Sequence, residues 1–389
     1  MSQTISLPGQ LLAPPPLSLY VHLPWCVRKC PYCDFNSHAA EAFPETAYLD
    51  ALERDLIAAL PQVWGREIVS LFIGGGTPSL FSAAGIDRLL TLARTLLRVN
   101  PMAEITLEAN PGTFEMEKFR DYRAAGVNRL SLGIQSFDSA ALERIGRIHD
   151  GAQARAAAQA ARAIFDNLNL DLIYALPQQT GADLQRDLAT ALAIGPDHLS
   201  AYHLTLEPNT AFGHTPPANL PDDDAAAAMQ DQFEAALAAA GYQHYETSAY
   251  ARPHRSARHN LNYWQFGDYL GIGAGAHSKL SLPTGIVRQA RLKHPQAFMT
   301  AAGTPAAWTE TPVAPRDLPF EFMMNALRLT DGVEAGLFVE RTGLPLLACA
   351  PQLAKARRRG LLEDDPLRLQ PTRSGQQFLN DLLTLFLPD

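Results

Sequence analysis

This sequence has only four cysteines in 389 residues, no uncharged apolar stretch of about 18 residues, and no block of lysines and arginines. Four thiols cannot staple a chain of this size, so a disulfide framework is excluded. The missing apolar run excludes an integral membrane segment, because a spanning helix needs about 20 such residues. A formal net charge of −8 and a pI near 5.8 exclude an electrostatic grip on nucleic acid. The first residues, MSQTISLPGQLLAPPPL, have no basic start followed by an apolar core, so the expected location is cytoplasmic. What is present, 47% hydrophobic and 19% charged residues, is the composition of one large globular domain with a smaller one beside it.

The few thiols are concentrated. Three of them, Cys26, Cys30 and Cys33, fall within eight positions of VHLPWCVRKCPYCDF (21–35), spaced C-x3-C-x2-C on a loop after a strand. In a reducing compartment such a cluster reads as ligands to a soft metal centre. Zinc requires a fourth ligand, which His22, Asp34 or His38 could supply. An iron–sulfur cluster held by three cysteines leaves one iron open instead. The fourth thiol, Cys349 in LPLLACAPQLAKA, sits among helical apolar residues and reads as core.

Beyond a Pro-rich arm (1–16), apolar strands alternate with amphipathic helices. Strands are expected at 17–24, 67–76, 103–109, 129–135, 168–174 and 198–206, with helices at 45–60, 82–97, 114–125, 151–165, 182–193 and 222–240. Near-continuous apolar strands with helical crossovers imply a parallel sheet. Chemically capable groups lie at or just past the C-terminal ends of the strands: the cysteines, then GGGTPS, Glu108 and Asn110, Gln135, Asp171 within the fifth strand, and His203 with Glu207 on the sixth. A doubly wound sheet gathers its site at one switch point, whereas a barrel mouth collects from all strands. The expected fold is therefore α/β, a partial (β/α)6 TIM-like barrel over 17–300. A small, mostly helical, winged-helix-like domain is expected over 301–389, with 300–308 as linker, helices at 317–329 and 346–359, a hairpin at 360–372 and a last helix from 373.

C-x3-C-x2-C with Tyr32 before the last cysteine resembles the signature of the radical S-adenosylmethionine (radical SAM) superfamily. The resemblance implies a 4Fe-4S cluster on Cys26, Cys30 and Cys33, with S-adenosylmethionine on the open iron. It implies that FIGGGTPS (72–79), through Gly75, Gly76 and Thr77, receives the cofactor's amino group, and that Glu108, Gln135, Arg147 and Asp171 hold its ribose, amino and carboxylate groups. Tyr20 and Tyr32 would flank the cluster. The whole chain resembles the group that holds the oxygen-independent coproporphyrinogen dehydrogenases and the haem chaperones. Phe35 stands where the dehydrogenases carry a further cysteine, and RHNLNYW (258–264) fits the H-N-x-x-Y-W motif of the chaperones. The implied function is to bind haem and pass it to an acceptor such as a respiratory haem protein, with oxidative decarboxylation of coproporphyrinogen III as the alternative. His259, Asn260, Tyr263 and Trp264 offer an imidazole, an amide and two aromatic faces as a wall for a planar macrocycle. YLGIGAGAHS (269–278) is expected to close as backbone over the cofactor.

Overall fold

The computed structural model describes residue 11 and residues 13–388. Most of the expected arm therefore lies outside the described residues; Pro14–Pro16 run without regular structure into the first strand.

All six expected strands form. They are β1 (Leu17–Leu23), β2 (Glu67–Gly75), β3 (Arg98–Ala109), β4 (Arg129–Gln135), β5 (Leu168–Tyr174) and β6 (His198–His203). Each pairs in parallel with the next. The crossovers are α1 (Glu45–Val63), α2 (Ala83–Leu96), α3 (Thr113–Ala125), α4 (Gly151–Ile164) and α5 (Gly181–Ile194), and α6 (Asp223–Ala239) follows β6. Helix starts are set by local chemistry. Asp150 with Gln153 and Thr180 with Asp183 form reciprocal capping boxes that satisfy otherwise unpaired amides.

The sheet does not stop at six strands. Beyond β6 lie β7 (Gln243–Glu246) and β8 (Ala249–Ala251), an antiparallel pair on that edge. Helix α7 (Arg258–Trp264) leads into β9 (Asp268–Ile272), which pairs in parallel with the free side of β1. Then β10 (His277–Leu282), β11 (Gly285–Arg291) and β12 (Trp308–Pro312) extend that edge antiparallel. The twelve-stranded order is β12-β11-β10-β9-β1-β2-β3-β4-β5-β6-β8-β7, with two free ends.

YLGIGAGAHS forms most of β9, a turn and the start of β10, and its Tyr269, Gly275 and His277 line a cavity described below. Its glycines are demanded by close approach: a Cβ on Gly271 would lie 2.0 Å from the His277 carbonyl oxygen, and one on Gly273 would lie 2.5 Å from that of His22. One expectation needs correction: the segment 300–308 is no linker, since it carries the end of helix Pro295–Ala301 and a 3-10 turn before β12.

One apolar core fills the space between sheet and helices, from Leu19 and Val21 through Leu107, Leu132 and Leu170. A second core gathers helices α8 (Leu318–Ala326), α9 (Ala335–Thr342) and α10 (Ala350–Arg358) around Phe322, Phe338 and the fully buried Cys349. Phe266 and Ile286 from the sheet region belong to this second core, so the C-terminal helices pack directly on the β9–β11 edge. Helix α9 and the two-residue ribbon pairing Val333–Glu334 with Arg368–Leu369 were not expected. The expected hairpin reduces to one bridge between Leu362 and Pro371, and the last helix is split at Phe378. No helix among the described residues is long and apolar enough to cross a membrane.

Two buried ionic knots hold the β9–β11 edge to the barrel. Asp55 of α1 accepts the Gly273 amide and pairs with Arg291, both side chains being fully buried. Asp268, also fully buried, receives Lys279 Nζ at 2.9 Å, Arg66 at 2.8 Å, and both the amide and hydroxyl of Ser281 at 2.8 Å.

Candidate functional site

Two adjoining cavities open at the C-terminal ends of the parallel strands. The smaller, about 140 Å³, is lined by Cys26, Cys30, Tyr32 and Cys33 from the loop after β1, and by Gly75, Gly76 and Thr77 from the end of β2. Glu108 and Asn110 from β3, Gln135 from β4, Arg147, and Asp171 from β5 complete it. Every residue expected to contact the cluster or S-adenosylmethionine is thus brought here except Tyr20, which faces the larger cavity. His22, Asp34 and His38, the alternative fourth ligands, also line the larger cavity, and both ring nitrogens of His22 are engaged, by Tyr20 Oη and the Asn36 carbonyl. Among the described residues no three His, Cys, Asp or Glu side chains converge as a single-ion site.

The thiol loop is braced from several sides. Trp25–Cys26 pairs in parallel with His38–Ala39, and Asn36 Nδ2 donates to the carbonyls of Ala274 and Lys293. Tyr48 Oη donates to the His22 carbonyl and accepts the Ala274 amide, tying the end of β1 to the β9–β10 turn. Burial pushes the Cys26 and Cys33 thiols up, partly offset for Cys26 by the Thr77 hydroxyl. Arg147 reaches Cys30 Sγ with Nη1 at 3.6 Å, while its Nη2 donates to Asn110 Oδ1 at 2.6 Å and to the Gly133 carbonyl. Its Nε is buried without a partner, as befits a cavity shaped for an additional polar group.

The glycines after β2 are required by packing as well as by any ligand. A Cβ on Gly76 would sit 2.5 Å from the Trp25 carbonyl oxygen. Gly75 has φ 120 and lies 2.9 Å from the His22 ring by the same measure. Its amide donates to Glu108 Oε2 at 3.1 Å. Gln135 is held in the left-handed region at φ 67, a strained conformation for a non-glycine and a mark of a site shaped for use.

Two carboxyls share this cavity, and both are raised above the usual carboxylate range. Burial, then repulsion from Asp171, pushes Glu108 up to about 8, and burial likewise raises Asp171 despite hydrogen bonds from Asn169 and Ser131. An unfolded glutamate loses its proton near 4.5, so between about 4.5 and about 8 the folded state holds a proton that the unfolded state has lost. The stability contribution is therefore full below 4.5 and drains away as pH rises through 8. Glu108→Gln is expected to melt with the wild type near about pH 5 and several degrees above it at pH 8 in the absence of added cofactor. Thermal melts at the two pH values check this, and parallel curves would refute it.

The larger cavity, about 840 Å³, is a chamber beside the first. Tyr263, Trp264 and Tyr269 give it aromatic walls, and His277, Lys29, Lys293 and Asn325 add polar groups. Lys29, Phe35, Ser37, Gly75 and Glu108 line both cavities, so the two are contiguous. Of the H-N-x-x-Y-W residues, Tyr263 and Trp264 face the chamber, whereas Asn260 does not line it. His259 is 2% exposed and one layer behind. Its Nε2 meets Tyr263 Oη at 2.9 Å and its Nδ1 meets Ser70 Oγ at 3.0 Å. Asn262, unremarked in the sequence, carries the structural part by bonding Ser18 Oγ and the Asp268 carbonyl. Burial draws the His259 pKa down to about 3, so its ring is neutral.

Sequence reasoning missed Phe35 as a shared wall, along with Asn325 and Lys293. Tyr269 lies in YLGIGAGAHS, the segment expected to close over the cofactor, and is the one half-buried residue of β9. Asn325, on a helix of the second core, gave no signal.

Comparison with known proteins agrees with this arrangement. Residues 20–191 match the Radical SAM superfamily and residues 313–378 match the HemN C-terminal domain. The chain is 48% identical over 378 residues to the heme chaperone HemW of Escherichia coli K12, covering 96% of this chain and 99% of that protein. It is 33% identical to the heme chaperone HemW of Bacillus subtilis, with 95% and 99% covered. The solved coproporphyrinogen III oxidase HemN of Escherichia coli, described as a radical SAM enzyme, superposes with a TM-score of 0.81 at 26% identity, over 96% of this chain and 90% of that one. The chain therefore belongs to the radical SAM superfamily and, within it, to the family of the HemW heme chaperones.

Proposed function

We propose that this protein is a haem chaperone that holds haem in the large chamber, next to a 4Fe-4S cluster and S-adenosylmethionine in the small cavity, and delivers haem to an acceptor protein such as a respiratory haem protein. The observation that carries this reading is the contiguity of the two cavities through Phe35, Gly75 and Glu108. A thiol-lined cavity alone would suit many reactions, but a chamber of about 840 Å³ with three aromatic walls suits a planar macrocycle.

The residues fit the implied cofactors. Cys26, Cys30 and Cys33 would supply three thiolates to a 4Fe-4S cluster, and that group would provide one-electron chemistry toward a bound sulfonium. Gly75, Gly76 and Thr77 present backbone to the cofactor's amino group, and Glu108, Gln135 and Asp171 face its amino and ribose groups. Arriving as a cation, the amino group favours the ionised form of Glu108, so binding near neutral pH expels the Glu108 proton. Arg147 keeps a carboxylate in place beside Cys30, and Tyr20 and Tyr32 shield the two sides of the site.

On the haem side, Lys29 and Lys293, which line the chamber, would answer the two propionates, and Tyr263 and Trp264 would pack against the ring edge. His259 would be the iron ligand only if Tyr263 turned aside from its Nε2. In the tautomer protonated on Nδ1, the Ser70 hydroxyl fixes the ring and Nε2 holds the lone pair that Tyr263 caps. A neutral imidazole with an oriented second nitrogen is the form a metal binds. Haem titration should show His259→Ala binding more than about tenfold more weakly than wild type, with a shifted Soret band. Tyr263→Phe, which removes one hydrogen bond competing for Nε2, should bind about two- to tenfold more tightly. Unchanged affinity in both variants removes His259 from the role.

The decarboxylase alternative rests on the HemN likeness, and Phe35 argues against it, since a large apolar ring, 61% exposed, stands between the cavities where the dehydrogenases place a cysteine. Formation of protoporphyrinogen from coproporphyrinogen III, in an anaerobic assay with reductant and S-adenosylmethionine, would establish that alternative. Transfer of bound haem to an apo-acceptor without such product supports the chaperone.

A further inference from the structure

The loop from β5 to α5, which leaves the C-terminal end of its strand, and the loop entering α6 frame a groove of about 610 Å³. The site described above does not use it. Both helix starts beneath it are already capped by their own side chains, Thr180 and Asp222. Exposed Asp222, Asp223 and Asp224 on the rim make it unsuited to anions.

The groove differs from ordinary surface in its unmet hydrogen bonds. Gln179 is 5% exposed; its Oε1 accepts the Leu176 amide at 3.1 Å, but its Nε2 has no partner. Across the groove, Gln232 Oε1 is likewise buried and unpartnered. A donor and an acceptor both left unmade in one groove are costly, and buried polar groups in folded proteins are nearly always satisfied. One chemical unit answers both demands at once, a secondary amide, with one carbonyl and one N–H.

The surroundings fit that unit. Gln178 and Asn219 add two neutral amides, and Leu220 and Met229 add apolar contact. Gly181 leaves room for the Gln232 amide, whose nitrogen and oxygen would each lie 3.0 Å from a Cβ there. A second cavity of about 240 Å³, also lined by Gln178 and Gln179, continues the groove toward Asp183 and Asp187. Such a run, longer than a single residue, suits an extended chain better than a compact ligand.

We propose that this groove binds an extended segment of a partner polypeptide through its main-chain amides, with lysine or arginine side chains on the segment answering the Asp222–Asp224 rim. The proposal stands apart from the haem reading, because no residue of the groove lines either cavity described above.

The test uses the full chain and the blocked peptide acetyl-Lys-Gly-Ala-Gly-Lys-amide, titrated by calorimetry with inorganic phosphate as competitor. Two variants accompany wild type: Gln232→Met, which removes the orphan acceptor, and Ala228→Trp, which fills the groove from an exposed position on α6. Saturable binding to wild type, weakened about fivefold or more in both variants with melting temperature and haem titration unchanged, is the expected result. No saturable binding to wild type, equal binding to the variants, or displacement by phosphate overturns it. Absence of haem binding by the wild type, with peptide binding as expected, would count against the haem chamber and leave the groove standing.

Discussion

Cys30→Ala is expected to take up no 4Fe-4S cluster on anaerobic reconstitution and to cleave no S-adenosylmethionine, while keeping the wild-type melting temperature. Cys30 is partly exposed on a loop whose bracing comes from Asn36, Tyr48 and the Trp25–His38 pairing, none of which involves its thiol. The fold therefore loses almost nothing, and the centre loses one of the three thiolates that line its cavity. Cys349→Ala is the matched control: that thiol is fully buried in the second core, so its loss should lower stability by about 1 kcal/mol and leave cluster uptake intact. Iron and sulfide content with the iron–sulfur absorption, the yield of 5′-deoxyadenosine, and thermal melts read the three quantities. Full cluster content in Cys30→Ala would remove the foundation of the cofactor assignment.

The second large effect is on the fold. Asp268→Ala should cost about 3–5 kcal/mol at neutral pH, because it leaves Lys279, 1% exposed, as an uncompensated buried cation and strips the Ser281 amide and hydroxyl of their acceptor. Arg66 has a way out, since its side chain is 13% exposed and can turn to water. Lys279 has only its proton to give up, and burial already draws its pKa down to about 8 even beside Asp268. The penalty in the variant should accordingly shrink as pH rises past 8. Denaturant unfolding at pH 7 and pH 9 measures both parts. A loss under about 1 kcal/mol, or one that does not vary with pH, would mean that water or another carboxylate reaches Lys279.

The six parallel strands were legible because each is a run of apolar residues buried on both faces, and such runs say little else. The thiol cavity was legible for a different reason. Cys26, Gly75, Glu108 and Gln135 each stand at or just past a strand end, and Asp171 lies within β5, so knowing the strands was nearly enough to bring them together. Where burial depends on distant partners, local pattern fails. His259 reads as an available imidazole in RHNLNYW, yet Ser70, 189 positions earlier, and Tyr263 take both of its nitrogens. The short edge strand β12 escaped because Trp308–Pro312 has exposed, polar residues and a proline, which suits an edge but gives no apolar alternation. The Val333–Arg368 ribbon is two residues long on each side, too short for any periodicity.

A ring of strands that closes on itself has a circumference set by strand number and stagger, and it resists widening at every rung. Here the hydrogen-bonded succession runs from β12 to β7 and does not return, so the molecule has a seam. No continuous hoop of backbone bonds then fixes the girth at the mouth. A ligand broader than the opening meets no closed circle of strand pairs that it would have to unzip.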